Sequence, residues 1–398
     1  MAVNFLKNQE VSDLCLGKPP LKKWAPDHHA TIADALSALK KSCGGGGDHQ
    51  SHYLSIWSCS VDSHHSVCEC VGKICMADII CFLCKEENLA NPLKALEGNS
   101  VSQLLLHKGP SLSVRHLDPN SSLLQALDSI LDGAQNLVIP IESYSTRNSR
   151  KKSHNKPSPF TTTHHNGREY CWITQEDVVR FLLNSIGVFS PIPTYTIESL
   201  NIIDPDIMTV RYEEPASSAL PLISRSLVEQ TSVAVIDENN RLIGEILPST
   251  LALCDETVAA AITTLSAGDL LAYIDCCGPP EELVQLVKMR LEEKNLEAML
   301  DLMEEYSLSS SSSSASSSCS SDDESALSKY SGSGRYSFGR RSEAIVCHPW
   351  SSLVAVMIQA LTHRVSCVWV VEEDHTVVGT VTFEGMLKVF RSISGPRE

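Results

Sequence analysis

Cysteine and histidine are the residue types in this chain most able to do chemistry. There are 15 cysteines and 14 histidines in 398 residues. Between positions 43 and 84 stand Cys43, Cys59, Cys68, Cys70, Cys75, Cys81 and Cys84, with His49, His52, His64 and His65. Thiolate and imidazole are zinc ligands, and a structural site needs two closely spaced pairs of them. The spacing here does not supply two. Cys81 and Cys84 fall in an apolar helical pattern, and Cys68 and Cys70 alternate along a strand. No metal is expected, and the thiols are expected to pack as small hydrophobes. Their odd number, and a start (Met1–Val11) without a signal-type apolar core, point to reduced thiols in an intracellular protein. The second residue, Ala2, offers no myristoyl acceptor.

Other chemistry is thinly represented. A Gly-rich phosphate loop, a GxSxG elbow, an HExxH pair and carboxylates paired in an evident cleft are all missing, so no catalysis is expected. A formal charge of −16 argues against nucleic acid and anionic membrane as partners, since both need a basic face. The most apolar long stretch, Val67–Cys84, contains Glu69, Lys73 and Asp78 and is not expected to cross a membrane. Twelve of the fifteen residues in Ser307–Ser321 are serine, followed by Asp322, Asp323 and Glu324. Such a tract buries too little apolar surface to order itself. Ser320 and Ser321 beside the acids, and Ser342 after Arg340-Arg341, are candidate phosphorylation sites. A basic insert, Ser143–Arg168, reads as a flexible loop or a nuclear-localisation patch, and Gly44–Gly47 as a further loop.

The elements that would position a site come into view as an internal repeat. Four segments share a turn, a small hydroxyl residue and an apolar helical pattern: Pro26–Leu39, Leu117–Ile130, Glu213–Ile223 and Cys347–Leu361. Thr31, Ser122, Ser218 and Ser352 stand at the step where a hydroxyl caps a helix start. An apolar strand, a polar turn, a second strand and a short helix follow, clearest in Ser232–Ile246 and Cys367–Val381.

The ends of these units carry a family resemblance. VGKICMAD (Val71–Asp78), CWITQED (Cys171–Asp177), IGEILPST (Ile243–Thr250) and VGTVTFEG (Val378–Gly385) resemble the closing segment of the cystathionine-β-synthase (CBS) domain, in which Val-Gly precedes a hydroxyl residue and an Asp three steps on. Four in order resemble plant CBS proteins of the CBSX type. They are also similar to the γ-type regulatory subunits of AMP-activated and sucrose-non-fermenting-related kinases. The resemblance implies an α/β fold of the α+β type: four CBS repeats in two tandem Bateman modules with disordered inserts. The repeats are placed at 11–88, 112–187 (basic insert 143–168), 201–265 and 266–392. The last holds an insert, 278–342, with an amphipathic helix over Glu281–Tyr306 and a Ser-rich linker over 307–342. The modules are expected at Met1–Gly187 and Val188–Glu398, each with its two units packed through their helices.

In that family the hydroxyl and the Asp hold the ribose of an adenosyl ligand, because an ionised carboxylate accepts strong hydrogen bonds from both ribose hydroxyls. Only the second unit keeps both, as Thr174 and Asp177. Asp78 stands with a thiol, Cys75; Thr382 stands with Gly385; Leu247 and Thr250 keep neither. The ribose candidates are therefore Thr174, Asp177, Asp78 and Thr382, although an acid at a helix start also suits the dipole. The family's phosphate-binding His-Arg pair is replaced by Leu137-Val138, Thr231-Ser232 and Ser366-Cys367, with His363 and Arg364 nearby at a helix end. The implied function is a non-catalytic regulator or adaptor of a protein partner such as a protein kinase. No cofactor is required, and AMP, ADP or ATP is the implied ligand. The alternatives are a true adenine-nucleotide sensor with one site in the second repeat, and a ligand-free scaffold. Self-association through the modules, a cytoplasmic location with the nucleus as alternative, and no membrane or nucleic acid complete the expectation. The amphipathic helix either docks a partner or packs on its own module.

Overall fold

The structure is a computed structural model that describes residues 2–26, 29–43, 52–62, 65–106, 114–141, 168–275, 279–311 and 344–393. The proposed phosphorylation sites Ser320, Ser321 and Ser342, the Gly44–Gly47 run and the basic insert apart from Arg168 lie outside these residues.

Four small sheets repeat one plan. In repeat 1, β1 (Lys23–Trp24) leads through a helix (Ile32–Cys43) to β2 (Tyr53–Asp62), β3 (His65–Cys75) and a second helix (Met76–Leu83). Repeat 2 has β4 (Val114–His116), a helix (Leu123–Leu131), β5 (Asn136–Ile141), β6 (Glu169–Thr174) and a helix (Gln175–Asn184). Repeat 3 has β7 (Thr209–Arg211), a helix (Leu220–Glu229), β8 (Val233–Ile236), β9 (Leu242–Ile246) and a short helix (Pro248–Leu251). Repeat 4 has β10 (Val346–Cys347), a helix (Leu353–His363), β11 (Cys367–Val371), β12 (Val377–Thr382) and a helix (Phe383–Ser392). Each sheet runs in chain order, its first two strands parallel and its last two antiparallel. A parallel pair needs a crossover, which the first helix provides, and an antiparallel pair needs only a turn. In repeat 3 that turn is set by Asp237, whose carboxylate accepts from the amides of Asn239 (2.7 Å) and Arg241 (2.8 Å), with Asn240 at φ 59°.

Three of the four expected caps form. The amides of Asp34, Gln125 and Ala355 donate to the hydroxyls of Thr31 (3.2 Å), Ser122 (3.3 Å) and Ser352 (3.4 Å). Ser218 does not cap: it lies inside a 3-10 turn and its hydroxyl donates to the Pro215 carbonyl (2.7 Å). Pro215 itself holds the step occupied elsewhere by Thr31, Ser122 and Ser352, because each of these four makes the same antiparallel bridge at its helix start.

Those bridges show how the repeats pair. The segment ahead of repeat 1 bridges repeat 2 (Glu10 to Ser122), and the segment ahead of repeat 2 bridges repeat 1 (Ser100 to Thr31). The segments ahead of repeats 3 and 4 are exchanged in the same way (Thr196 to Ser352, Ser266 to Pro215). Repeats 1 and 2 form one module and repeats 3 and 4 the other. Within a module the repeats pack through their sheets, not their helices. Trp57, Val138, Tyr170 and Trp172 fill the first sheet interface; Ala234, Ile236, Trp369 and Val371 fill the second. The helices instead join the modules, repeat 1 against repeat 3 and repeat 2 against repeat 4. The expectation of helix packing inside each module is thus corrected. β5, β8 and β11 are buried along most or all of their length, and a strand buried on both faces needs cover on each side.

The segment expected as one helix over Glu281–Tyr306 is two, Glu281–Glu293 and Glu297–Ser311, broken where Asn295 turns left-handed at φ 55°. It packs on its own chain: Val287, Leu291, Met299 and Met303 join the core of repeats 1 and 3, and Arg290 donates to the Thr264 carbonyl (2.8 Å). Among the described residues no helix is long and apolar enough to cross a membrane.

Candidate functional site

A cleft of about 470 Å³ opens where all four repeats meet. Thr174 ends β6 and starts the second helix of repeat 2. Its amide (2.8 Å) and hydroxyl (2.9 Å) both donate to Asp177 Oδ2, and the Asp177 amide donates back to Thr174 Oγ1 (3.3 Å). This is a capping box built on the pair the sequence singled out. Lys18 adds a third bond to the same oxygen (2.7 Å). All three fall on Oδ2, and Oδ1 accepts none of them. Thr174, Asp177 and Lys18 line the cleft.

The other two ribose candidates are elsewhere. Asp78 accepts from the Cys75 amide (2.8 Å) and borders a separate pocket of about 210 Å³ beside Lys85 and Ser224, while Cys75 lines the main cleft. Thr382 caps its helix through the Gly385 amide (3.0 Å), and Phe383, not Thr382, reaches the cleft wall.

Sequence reasoning missed several lining residues. In register, Asn136 faces Thr174 as Cys367 faces Thr382, so the step of the family's His-Arg pair in repeat 2 is Gln135-Asn136 and not Leu137-Val138. The Asn136 side chain is 2 % exposed, lines the cleft, and its Nδ2 has no hydrogen-bond partner. Thr231 Oγ1 on the repeat 3 wall is likewise buried without one. Buried donors are normally paired, so these two atoms mark a gap in the hydrogen bonding of the site. The cations come from steps away from the family pair: Lys18, Lys73, Arg180 and Arg364, against Glu176 and Asp177. Arg180 pairs Glu176 one helical turn away, and Arg364 follows its helix in a left-handed conformation (φ 53°). The wall is therefore net positive in a chain of charge −16. Lys18 was hidden because the segment carrying it belongs to the lead-in laid on repeat 2, 159 positions from Asp177.

Among the described residues no three His, Cys, Asp or Glu side chains converge as a metal would require. Burial pushes the thiols of Cys70, Cys347 and Cys367 up to about 12, as befits packed apolar groups.

No protein-family model matches the chain. It is 46 % identical, over 98 % of both chains, to CBS domain-containing protein CBSX5 of Arabidopsis thaliana. It is 21 % identical to the SNF1-related protein kinase regulatory subunit gamma-like PV42b of the same plant, over 96 % of this chain and 94 % of that one. Among solved structures, protein MJ1225 of Methanocaldococcus jannaschii, described as a candidate archaeal homolog of γ-AMPK, superposes with a TM-score of 0.51 at 16 % identity, covering 96 % of this chain and 99 % of that one. Four sheets with exchanged lead-ins, a boxed Thr-Asp pair in a four-way cleft, and a full-length relative at this identity agree: the chain belongs to the CBS-domain protein family, as a four-repeat member of the CBSX type.

Proposed function

We propose that this protein is a non-catalytic regulator that binds an adenosyl nucleotide, AMP, ADP or ATP, in the four-way cleft and passes its occupancy to a protein partner such as a protein kinase complex. The observation that carries the reading is the pair of buried donors, Asn136 Nδ2 and Thr231 Oγ1, left without partners on two walls of a cleft of about 470 Å³. That volume lies in the range of small-ligand sites, roughly 300–1,000 Å³. Asp177 would accept from the ribose diol through Oδ1, with Thr174 holding the carboxylate in place. Lys18, Lys73, Arg180 and Arg364 would face the phosphates as point charges and forks. Asp78 and Thr382 would serve at most as half-sites, since neither lines this cleft. The name of the gamma-like relative supports a kinase-side partner. Binding shifts a partner only by its difference in affinity for the partner's two states.

Calorimetric titration of the full chain with AMP, ADP, ATP and S-adenosylmethionine tests the reading. At least one should bind, and Asp177→Asn should weaken it roughly tenfold to a hundredfold, the value of a hydrogen bond to a charged group. Silence for all four at millimolar concentration would overturn the ligand reading and leave a scaffold. Affinity capture that recovers no kinase subunit would count against the partner. Ser320, Ser321 and Ser342 remain proposed phosphorylation sites, the cytoplasm (or the nucleus, through the basic insert) the proposed location, and a dimer through the modules the proposed assembly.

A further inference from the structure

The β2–β3 hairpin of repeat 1 places two cysteines directly opposite each other. Cys59 on β2 is the ladder partner of Cys68 on β3. The ladder also fixes what kind of pair they make. β3 is an edge strand of its sheet, and two steps along it the Cys70 amide donates to His116 Nε2 of repeat 2 (3.0 Å), away from β2. Cys70 and its partner Trp57 therefore exchange no ladder bonds. Bonded and unbonded pairs alternate along an antiparallel ladder, and the register runs without a shift from Trp57–Cys70 to Cys59–Cys68. The two cysteines are thus an unbonded pair too. In such pairs the Cα atoms come about 4.5 Å apart and the side chains are closest. A disulfide spans Cα separations of about 4.4–6.8 Å.

We propose that Cys59 and Cys68 form a modification site, a cross-strand dithiol that a low-molecular-weight disulfide oxidises to a disulfide within the hairpin. Both side chains lie on the face turned to the sheet interface of repeats 1 and 2, with Trp57 and Cys70. The other cysteines on this ladder have no thiol opposite them: Cys70 faces Trp57 and Cys75 faces Tyr53.

Exposure divides the work between the two sulfurs. Cys59 is partly exposed and Cys68 is 7 % exposed, so an incoming disulfide meets Cys59 first. The Cys59 thiolate attacks one sulfur of the oxidant, its S–S bond breaks, and one thiolate leaves a mixed disulfide on Cys59. The Cys68 sulfur then attacks the Cys59 sulfur and displaces the second thiolate. The two departing thiolates take up the protons that the two cysteines lose. Two protein thiols are oxidised by two electrons, and one disulfide is reduced to two thiols. Burial, with the facing Cys68 sulfur, pushes the Cys59 thiol up to about 11, so the first step is slow at neutral pH. Register, not reactivity, selects the pair. Neither cysteine lines the four-way cleft, so the proposal is independent of the ligand reading.

The test brings the reduced full chain to equilibrium with excess oxidised glutathione at mildly alkaline pH. Remaining thiols are then capped with N-ethylmaleimide in denaturant, and unreduced peptides are mapped by mass spectrometry. Cleavage at acidic residues suits the map, since Asp62 lies between Cys59 and Cys68, and Glu69 between Cys68 and Cys70. The expected result is loss of capping at Cys59 and Cys68 together, with a peptide pair linked through them that disappears on adding dithiothreitol. In Cys68→Ser the second step has no nucleophile, and Cys59 should accumulate as the glutathione adduct. In Cys59→Ser, Cys68 should stay free. Wild-type Cys59 recovered chiefly as free thiol, as a glutathione adduct, or linked to Cys70 or any other cysteine would overturn the proposal, however the variants fold.

Discussion

Lys23→Met removes a buried ammonium and keeps the length of the side chain. Lys23 is 4 % exposed in the sheet interface of repeats 1 and 2, with Nζ 4.1 Å from the Trp57 ring centre and 4.2 Å from that of Tyr170. It donates to the Arg168 carbonyl (3.3 Å). Burial pulls its pKa from 10.5 down to about 8. At 1.36 kcal/mol per pKa step, that fall costs about 3 kcal/mol of stability wherever the folded state holds the charge. Two desolvated ring faces at up to about 2 kcal/mol each, and a hydrogen bond worth about 1 kcal/mol, act the other way. The opposing terms are of similar size at pH 7, so the variant's stability there decides little, and the pH dependence decides much. The folded pKa lies below the unfolded one, so between them the unfolded chain binds more protons and stability rises with pH. Against the methionine variant, the wild type should gain roughly 1 kcal/mol from pH 7 to 9. The adjacent Cys59 and Cys70 thiols, at about 11 and about 12, stay protonated throughout. Urea titrations of both proteins at pH 7, 8 and 9 measure the difference. A difference that stays flat would refute the claim that burial governs this lysine.

A carboxyl group occupies the other sheet interface: Glu245 accepts from Ser232 Oγ (2.7 Å) and Trp369 Nε1 (2.8 Å). Glu245→Ala should cost about 3 kcal/mol by denaturant midpoint, chiefly from the buried indole N–H, and Glu245→Gln distinctly less. Arg391 meets Asp128 through a fork (2.6 and 3.4 Å) that ties repeat 4 to repeat 2. Asp128→Ala should cost about 3 kcal/mol in chemical denaturation, and pairing it with Arg391→Met should recover part of the loss. Gly379→Ala would set a Cβ 2.5 Å from Ile203 Cγ2 and 2.7 Å from the Asp204 carbonyl oxygen. A melting curve should show a loss of about 2 kcal/mol, since backbone cannot step aside as a flexible side chain can.

The hairpins of repeats 3 and 4 and three helix caps were legible because each is a local device: turn-forming residues between apolar strands, and a hydroxyl one turn ahead of an apolar stripe. Where the local device was missing, the reading slipped. Pro215 carries no hydroxyl, so the search for a cap in repeat 3 moved three positions on to Ser218. β5 is buried too continuously to alternate, so its register could not be read, and Asn136 was passed over. Asp177 was found from the motif, but Lys18 and Arg364 were not assigned to its cleft. They come from a lead-in and from a helix end, brought in by tertiary packing that no short window reports. The charge count could not reveal them either: −16 describes the whole surface and says nothing of the sign inside one cleft.

The exchange of lead-ins bears on how such a chain can be inherited. A duplicated or deleted stretch covering one repeat would leave a helix start without its bridge and strand another lead-in on a neighbour that had gone. A stretch covering a whole pair would take both bridges with it. Copy number in this architecture should therefore change by twos, and recombination should leave its seams between the modules, near residues 185–190, rather than inside either one.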